Sequence, residues 1–172
     1  INSELNKHSN LSQRIHVIHA SEKIEMNERS TRVFKDKPNS SLVKSVNLVK
    51  NNHADAIVSA GNTGALLTTS LFLIGKIPGI KRPALAPLIP TKKSNFILCD
   101  VGANANSKPQ HLMQFALMAT AYMQHLENRK NPKVALLNIG QEKNKGNELT
   151  TSTYPLLEKN LENFIGNIES RN

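Results

Sequence analysis

The stretch Ala54-Asp-Ala-Ile-Val-Ser-Ala-Gly-Asn-Thr-Gly64 sets the strongest limit on how this chain folds. An apolar run meets a Gly-Asn-Thr-Gly tetrapeptide, and a second apolar run begins at Ala65. That order predicts a short buried strand ending at Ser59, a tight turn, and a helix from about Ala65. Gly61 and Gly64 permit backbone angles closed to other residues. In an open parallel α/β sheet, ligands gather just beyond the carboxyl ends of strands. The helix start that follows offers unpaired N–H groups and the positive end of a dipole, so the turn is a candidate anion site.

The pattern recurs along the chain. Residues 14–19 alternate at period two, as a half-buried strand would, and residues 1–12 read as a helix end. Residues 20–39 are charged and irregular, a surface excursion whose basic part is Arg29, Arg32, Lys35 and Lys37. Leu42, Val43, Val46 and Val49 recur at helical spacing, with Lys44 and Lys50 outside. Residues 77–83 form a Pro- and Gly-bearing loop, and residues 84–89 an edge strand interrupted by Pro87. Residues 95–101 predict a strand covered on both faces. Residues 111–126 form the clearest helix, with Leu112, Phe115, Ala116, Ala119, Met123 and Leu126 on one face. Residues 132–139 predict a buried strand. A helix that Pro155 kinks or restarts follows through Leu161, and a last strand begins at residues 163–168. Alternating strands and helices predict a single α/β layer structure.

Four strand ends then carry similar clusters, at residues 59–64, 100–104, 138–140 and 164–167. Singly, Asn and Gly at a strand end are ordinary turn formers. In one parallel sheet the four would share a rim of backbone amides, asparagines and one carboxylate. Lys145 follows the third cluster. It reads either as a solvated loop lysine beside Lys143 and Asn144 or as an electrophilic clamp on a phosphate or oxyanion. There is no P-loop, no G-x-G-x-x-G after a strand, no nucleophile elbow and no metal-ligand spacing. No cofactor is implied.

Bulk properties narrow the class further. Among 172 residues, hydrophobic content of 38% suffices for one core, and Cys99, the only cysteine, excludes an internal disulfide and points to a reducing, cytoplasmic setting. The longest apolar run, residues 65–75, is too short to span a bilayer and no signal peptide is read, so a soluble protein is expected. Lysine and arginine number 22 against 13 acidic residues, a net charge of +9. Without an aromatic-interleaved basic stripe, nucleic acid is not the expected partner, and an acidic partner is.

Seven blocks strongly resemble the phosphate acyltransferases of bacterial phospholipid synthesis, which are acyl-ACP:phosphate transacylases. They are Asp55-Ala-Ile-Val-Ser-Ala-Gly-Asn-Thr-Gly-Ala-Leu, Ile77-Pro-Gly-Ile-Lys-Arg-Pro-Ala-Leu-Ala, Asp100-Val-Gly-Ala-Asn, Lys108-Pro-Gln-His-Leu, Leu136-Leu-Asn-Ile-Gly, Lys145-Gly-Asn-Glu-Leu-Thr and Asn163-Phe-Ile-Gly-Asn-Ile-Glu. They stand in the family's order and spacing from about Ile15 onward. The resemblance implies a three-layer α/β/α sandwich with a mostly parallel sheet, like phosphotransacetylases and isocitrate/isopropylmalate dehydrogenases, and a homodimer. It implies transfer of a long fatty acyl group from acyl carrier protein to inorganic phosphate. A membrane acyltransferase then consumes the acyl phosphate, so the enzyme is cytoplasmic and peripherally membrane-associated.

By the same resemblance Lys145 is the catalytic residue, holding phosphate or neutralising the transition state. Asn62, Thr63 and Gly64, with Ser59 and Gly61, would bind phosphate or orient the carbonyl. Asp100 and Asn104, with Gly102, would order the rim that Asn138, Gly140, Asn147 and Glu148 complete. Family members open with a strand ending in an Asp-Ala-Met-Gly-Gly-Asp-His type of turn and continue past Arg171. The expectation is therefore a central portion of the family protein, residues 1–172 as one α/β domain. Gln110 stands where the family has glutamate, and Asn106-Ser107 where it has Asp-Cys or Asp-Ala. The rival readings are a non-catalytic fragment and a same-fold relative with phosphotransacetylase or dehydrogenase chemistry.

Overall fold

The computed structural model describes residues 1–8, 14–92 and 94–170. The chain divides into two compact units, Ile1–Gly75 and Lys76–Asn172.

Unit 1 is helical. A short α1 (Asn2–Leu5) matches part of the helix end expected over residues 1–12, whose later residues lie outside the described ones. The charged excursion contains α2 (Val33–Asp36). α3 (Ser41–Lys50) starts at Ser40, whose buried hydroxyl accepts the Val43 N–H, and it ends at Asn51 and Asn52. α4 (Thr63–Leu73) begins within two residues of its predicted start. Val33, Leu42, Val46 and Ala65 form the core, with Ile24, Ile57, Leu66 and Leu73 packed on it. Phe34 stacks on Phe72 at 4.8 Å. The excursion is thus less peripheral than its charge suggests, since Val33 supplies the core directly.

Two predicted strands of unit 1 do not form. Residues 54–59 and 14–19 carry no ladder, and Val58 is fully exposed. The reason is pairing. A strand exists only through hydrogen bonds to a neighbour, and among the described residues of this unit only an isolated Glu22–Ser40 bridge is present.

Unit 2 carries two small sheets. β1 (Leu88–Ile89) pairs antiparallel with β2 (Phe96–Ile97). The strand predicted over residues 95–101 is therefore shorter, half-exposed and antiparallel. Leu98 N–H reaches the Pro87 carbonyl and Val101 N–H the Leu85 carbonyl, but Pro87 has no N–H to return, so the ladder breaks there. Cys99 lies half-buried in this segment. Burial first, then the adjacent Asp100 carboxylate, push its thiol up to about 11.

The long α5 (Pro109–His125) buries His111, Phe115 and Met123, whereas Leu126, assigned to its apolar face, is exposed. β3 (Val134–Leu137) and β4 (Phe164–Ile168) pair in parallel, joined through α6 (Glu148–Asn160). α6 runs through Pro155 as one helix. Pro155 faces solvent, where water can satisfy the carbonyl its ring leaves free. Leu136, Tyr154, Leu157 and Leu161 form this core, with Leu112, Met113, Ala116, Val134 and Phe164 against it. The fold is α/β, with one parallel and one antiparallel pair.

Val134 pairs with Phe164, yet Leu136 pairs with Asn167, so β4 spends one extra residue. Gly166 takes φ +96 within that bulge. Plain alternation from Phe164 would turn Asn167 outward. The bulge brings it to the buried side instead and leaves Ile168 half-exposed.

No helix among the described residues is long and apolar enough to cross a membrane.

Candidate functional site

The predicted site residues fall into three local groups, one in unit 1 and two in unit 2. The first surrounds the start of α4. Ser59 is exposed, and its hydroxyl accepts the Gly61 N–H at 3.3 Å. Asn62 caps the helix, its Oδ1 accepting the Ala65 N–H at 3.0 Å. Its Nδ2 donates to the carbonyls of Glu25, Met26 and Glu28 at 3.1–3.2 Å, and the residue is only 8% exposed. Asn62 is thus a staple between the excursion and the helix, with its polar atoms already engaged. Thr63 is exposed at the first helical position, and helix geometry leaves its N–H and that of Gly64 without intrahelical partners.

Neither Gly61 nor Gly64 uses the positive φ that glycine permits. Gly64 is needed for a different reason. A Cβ there would stand 3.1 Å from the Cβ and Oγ of Ser30, so the excursion packs directly on the helix start.

The second group centres on Asp100. Its Oδ1 accepts from the N–H groups of Leu85 and Ala103, at 2.7 and 3.3 Å. Its Oδ2 accepts the Asn104 N–H at 2.9 Å and the Asn104 side-chain amide at 3.1 Å. Asn104 also donates to the Pro83 carbonyl. Gly102 turns the loop at φ +96 with open space around it. The carboxylate is saturated by N–H groups, which suits ordering the loop.

The third group lies between β3 and α6. Asn138 donates from Nδ2 to the Lys145 carbonyl at 2.9 Å. Gly140 is buried, and a Cβ there would meet Lys145 Cγ and Glu142 Oε2 at 3.0 Å, so the stem of Lys145 lies along a bare backbone. Gly146 takes φ +100, and a Cβ there would come within 2.1 Å of Thr150 Oγ1 and 2.4 Å of Asn138 Oδ1. No other residue fits. Asn147 caps α6 by accepting the Thr150 N–H at 3.0 Å. Glu148, exposed in the first turn, complements the helix dipole and competes with any anion there.

The two lysines of this loop differ. Lys143 pairs with Glu158 and lies 5.3 Å from the Tyr154 ring centroid. The hydrogen bond to Glu158 raises its pKa, against partial desolvation. Lys145 is exposed, and its ammonium has no side-chain partner among the described residues. An unpaired ammonium beside a glycine-walled loop and a helix start is equipped to hold an oxyanion.

The common parallel rim is not what forms. The third cluster alone stands at the end of a parallel strand. Residues 100–104 follow an antiparallel pair, and residues 164–167 lie inside β4. Ser30 carried no expectation, and Gly146 and Asn167 stood inside the predicted clusters without individual roles. For Asn167, the available signal was a glycine in the interior of a strand pattern, a mark of a bulge.

Across residues 1–172 the chain matches the family described as fatty acid synthesis protein. It is 47% identical over 173 residues to the phosphate acyltransferase of Halothermothrix orenii, covering 99% of this chain and 52% of that protein. To the phosphate acyltransferase of Bacillus subtilis it is 50% identical over 162 residues, 93% of this chain and 49% of that one. To that of Exiguobacterium sibiricum it is 50% identical over 159 residues, 92% and 48% respectively. The chain spans about half the length of the curated relatives it matches.

Proposed function

Because this chain belongs to the fatty acid synthesis protein family, we propose that it serves an acyltransferase that moves a long fatty acyl group from the thioester of acyl carrier protein to inorganic phosphate. A phosphate oxygen attacks the thioester carbonyl carbon, and a C–O bond forms. The tetrahedral oxyanion collapses, the C–S bond breaks, and the thiolate leaves on the carrier and takes up a proton. Phosphate is a nucleophile at neutral pH, so the protein needs no serine or cysteine for this step. It needs to hold two anions, the phosphate and the developing oxyanion.

The observation that carries the reading is Lys145, unpaired among the described residues, set on a loop that Gly140 and Gly146 allow to close and followed by a helix start. Within unit 1, Thr63 and Gly64 offer N–H groups without intrahelical partners, a separate candidate anion contact. Asp100 and Asn104 order their loop, while Ser59, Gly61 and Asn62 shape the turn that presents Thr63. The net charge of +9 supports docking of an acidic carrier protein and peripheral contact with an anionic membrane, where a downstream acyltransferase uses the acyl phosphate to make phospholipid. The proposal extends to a cytoplasmic homodimer on a three-layer α/β/α sandwich.

The test is acyl-phosphate formation from palmitoyl carrier protein and phosphate, with this chain and with Lys145→Ala. Turnover lost in the variant supports the reading. Equal turnover in both removes Lys145 from the chemistry. A folded parent with no turnover makes this chain a portion that binds without catalysing.

A further inference from the structure

We propose that Asn167 is the positioning residue of Lys145, acting from the neighbouring strand through the peptide group of Glu142; this rests on the role proposed for Lys145. The backbone of Lys145 is gripped from two sides. Its carbonyl accepts from Asn138 Nδ2 at 2.9 Å, and its N–H donates to the Glu142 carbonyl at 3.1 Å. That same Glu142 carbonyl accepts from Asn167 Nδ2 at 2.8 Å. The two asparagines stand on adjacent parallel strands, Asn138 just past β3 and Asn167 within β4, whose register the Asn138 N–H continues by reaching the Ile168 carbonyl at 2.8 Å. Two rigid elements therefore hold the one loop that carries the free ammonium.

Asn167 reaches this position only through the bulge at Gly166, and the arrangement has a cost. Asn167 is 7% exposed, and its Oδ1 is buried with no hydrogen-bond partner among the described residues. A buried amide oxygen left unpaired is destabilising, and an apolar residue at this place would remove the deficit. The amide is kept where its Nδ2 fixes the loop. Placement within about half an ångström is what a catalytic group requires of the residues supporting it.

The experiment compares the parent with Asn167→Asp, which keeps the shape and removes the donor. Amide hydrogen exchange is followed residue by residue, and acyl-phosphate turnover is followed alongside. The expected result is about tenfold faster exchange at the Lys145 amide, with the Val134 and Asn138 ladder amides unchanged. kcat is expected to fall about tenfold while KM for the acyl donor holds. Acceleration spread evenly over β3 and β4 would make Asn167 merely structural and overturn the proposal, as would an unchanged Lys145 amide. If Asn167→Asp does not fold, Asn167→Leu removes the donor without burying a charge and is read the same way. Should Lys145→Ala leave turnover intact, the proposed catalysis fails, while the exchange data still decide whether Asn167 holds the loop.

Discussion

The two Gly-Asn turns, at Asn62 and at Asn147, look alike in sequence and differ in use. Each asparagine follows a glycine-bearing turn and caps a helix by accepting the third N–H, both at 3.0 Å. Around Asn62, three carbonyls of the excursion consume the amide and bury the residue. Asn147 is exposed, and Lys145, whose ammonium has no side-chain partner among the described residues, precedes it by two residues. The first asparagine is consumed as a structural joint, and the second stays an exposed cap. A cap motif reports a helix start, and the segments packed on it decide whether it can also hold a ligand.

The sharpest way to break this contrast is through the glycines. Gly146→Ala places a Cβ inside Thr150 and Asn138 at a positive φ, and a loss of about 4 kcal/mol in urea unfolding is expected. Gly102→Ala shares the positive φ but meets open space, so about 1 kcal/mol is expected. Equal losses would mean that the packing around Gly146 is not as described.

Next come the lysines. Lys145→Ala is expected to lower turnover about a hundredfold. Lys143→Ala, which breaks an exposed pair with Glu158 and the contact with the Tyr154 ring, is expected to stay within about twofold. A larger loss in Lys143→Ala would move the anion seat toward Tyr154.

The caps themselves should separate. Asn62→Ala loses the cap and strands three carbonyls, for about 3 kcal/mol, whereas Asn147→Ala loses an exposed cap for about 1 kcal/mol. Asn62→Asp, which retains the acceptor, would recover the cap and not the carbonyl bonds.

The smallest effect is titration at the start of α5. Burial lowers the His111 pKa below 6.5, and the positive charges of Arg82, Lys108 and Lys81 lower it further. Its Nδ1 accepts the Lys108 N–H and so must be unprotonated. The unfolded chain binds the proton first, so stability is present above pH 6.5 and is lost as pH falls through the lower folded value. Thermal melts from pH 7.5 to 5 should show this decline, and His111→Gln should flatten it. A slope unchanged in His111→Gln would assign the acid sensitivity elsewhere.

Local patterns carried much of the fold. The 3.6-residue period of Leu42, Val43 and Val46 gives α3, and the long apolar face behind Pro109 gives α5, because helices are closed by hydrogen bonds within their own segment. The site was legible in the same degree. The turn before a helix at residues 61–64 and the ordering role of Asp100 and Asn104 were readable locally, whereas the capping by Asn62 and Asn147 came from the structure. Strands fared worse. Residues 54–59 and 95–101 have the composition of buried strands, yet a strand is made by its neighbour, and Pro87 and the lack of a partner decided against them. Tertiary structure alone settled three further matters: that Asn62 is consumed by carbonyls more than thirty residues earlier, that Lys145 rather than Lys143 is free, and that a bulge turns Asn167 inward. Each depends on which distant groups arrive at a given atom, and no local periodicity encodes that.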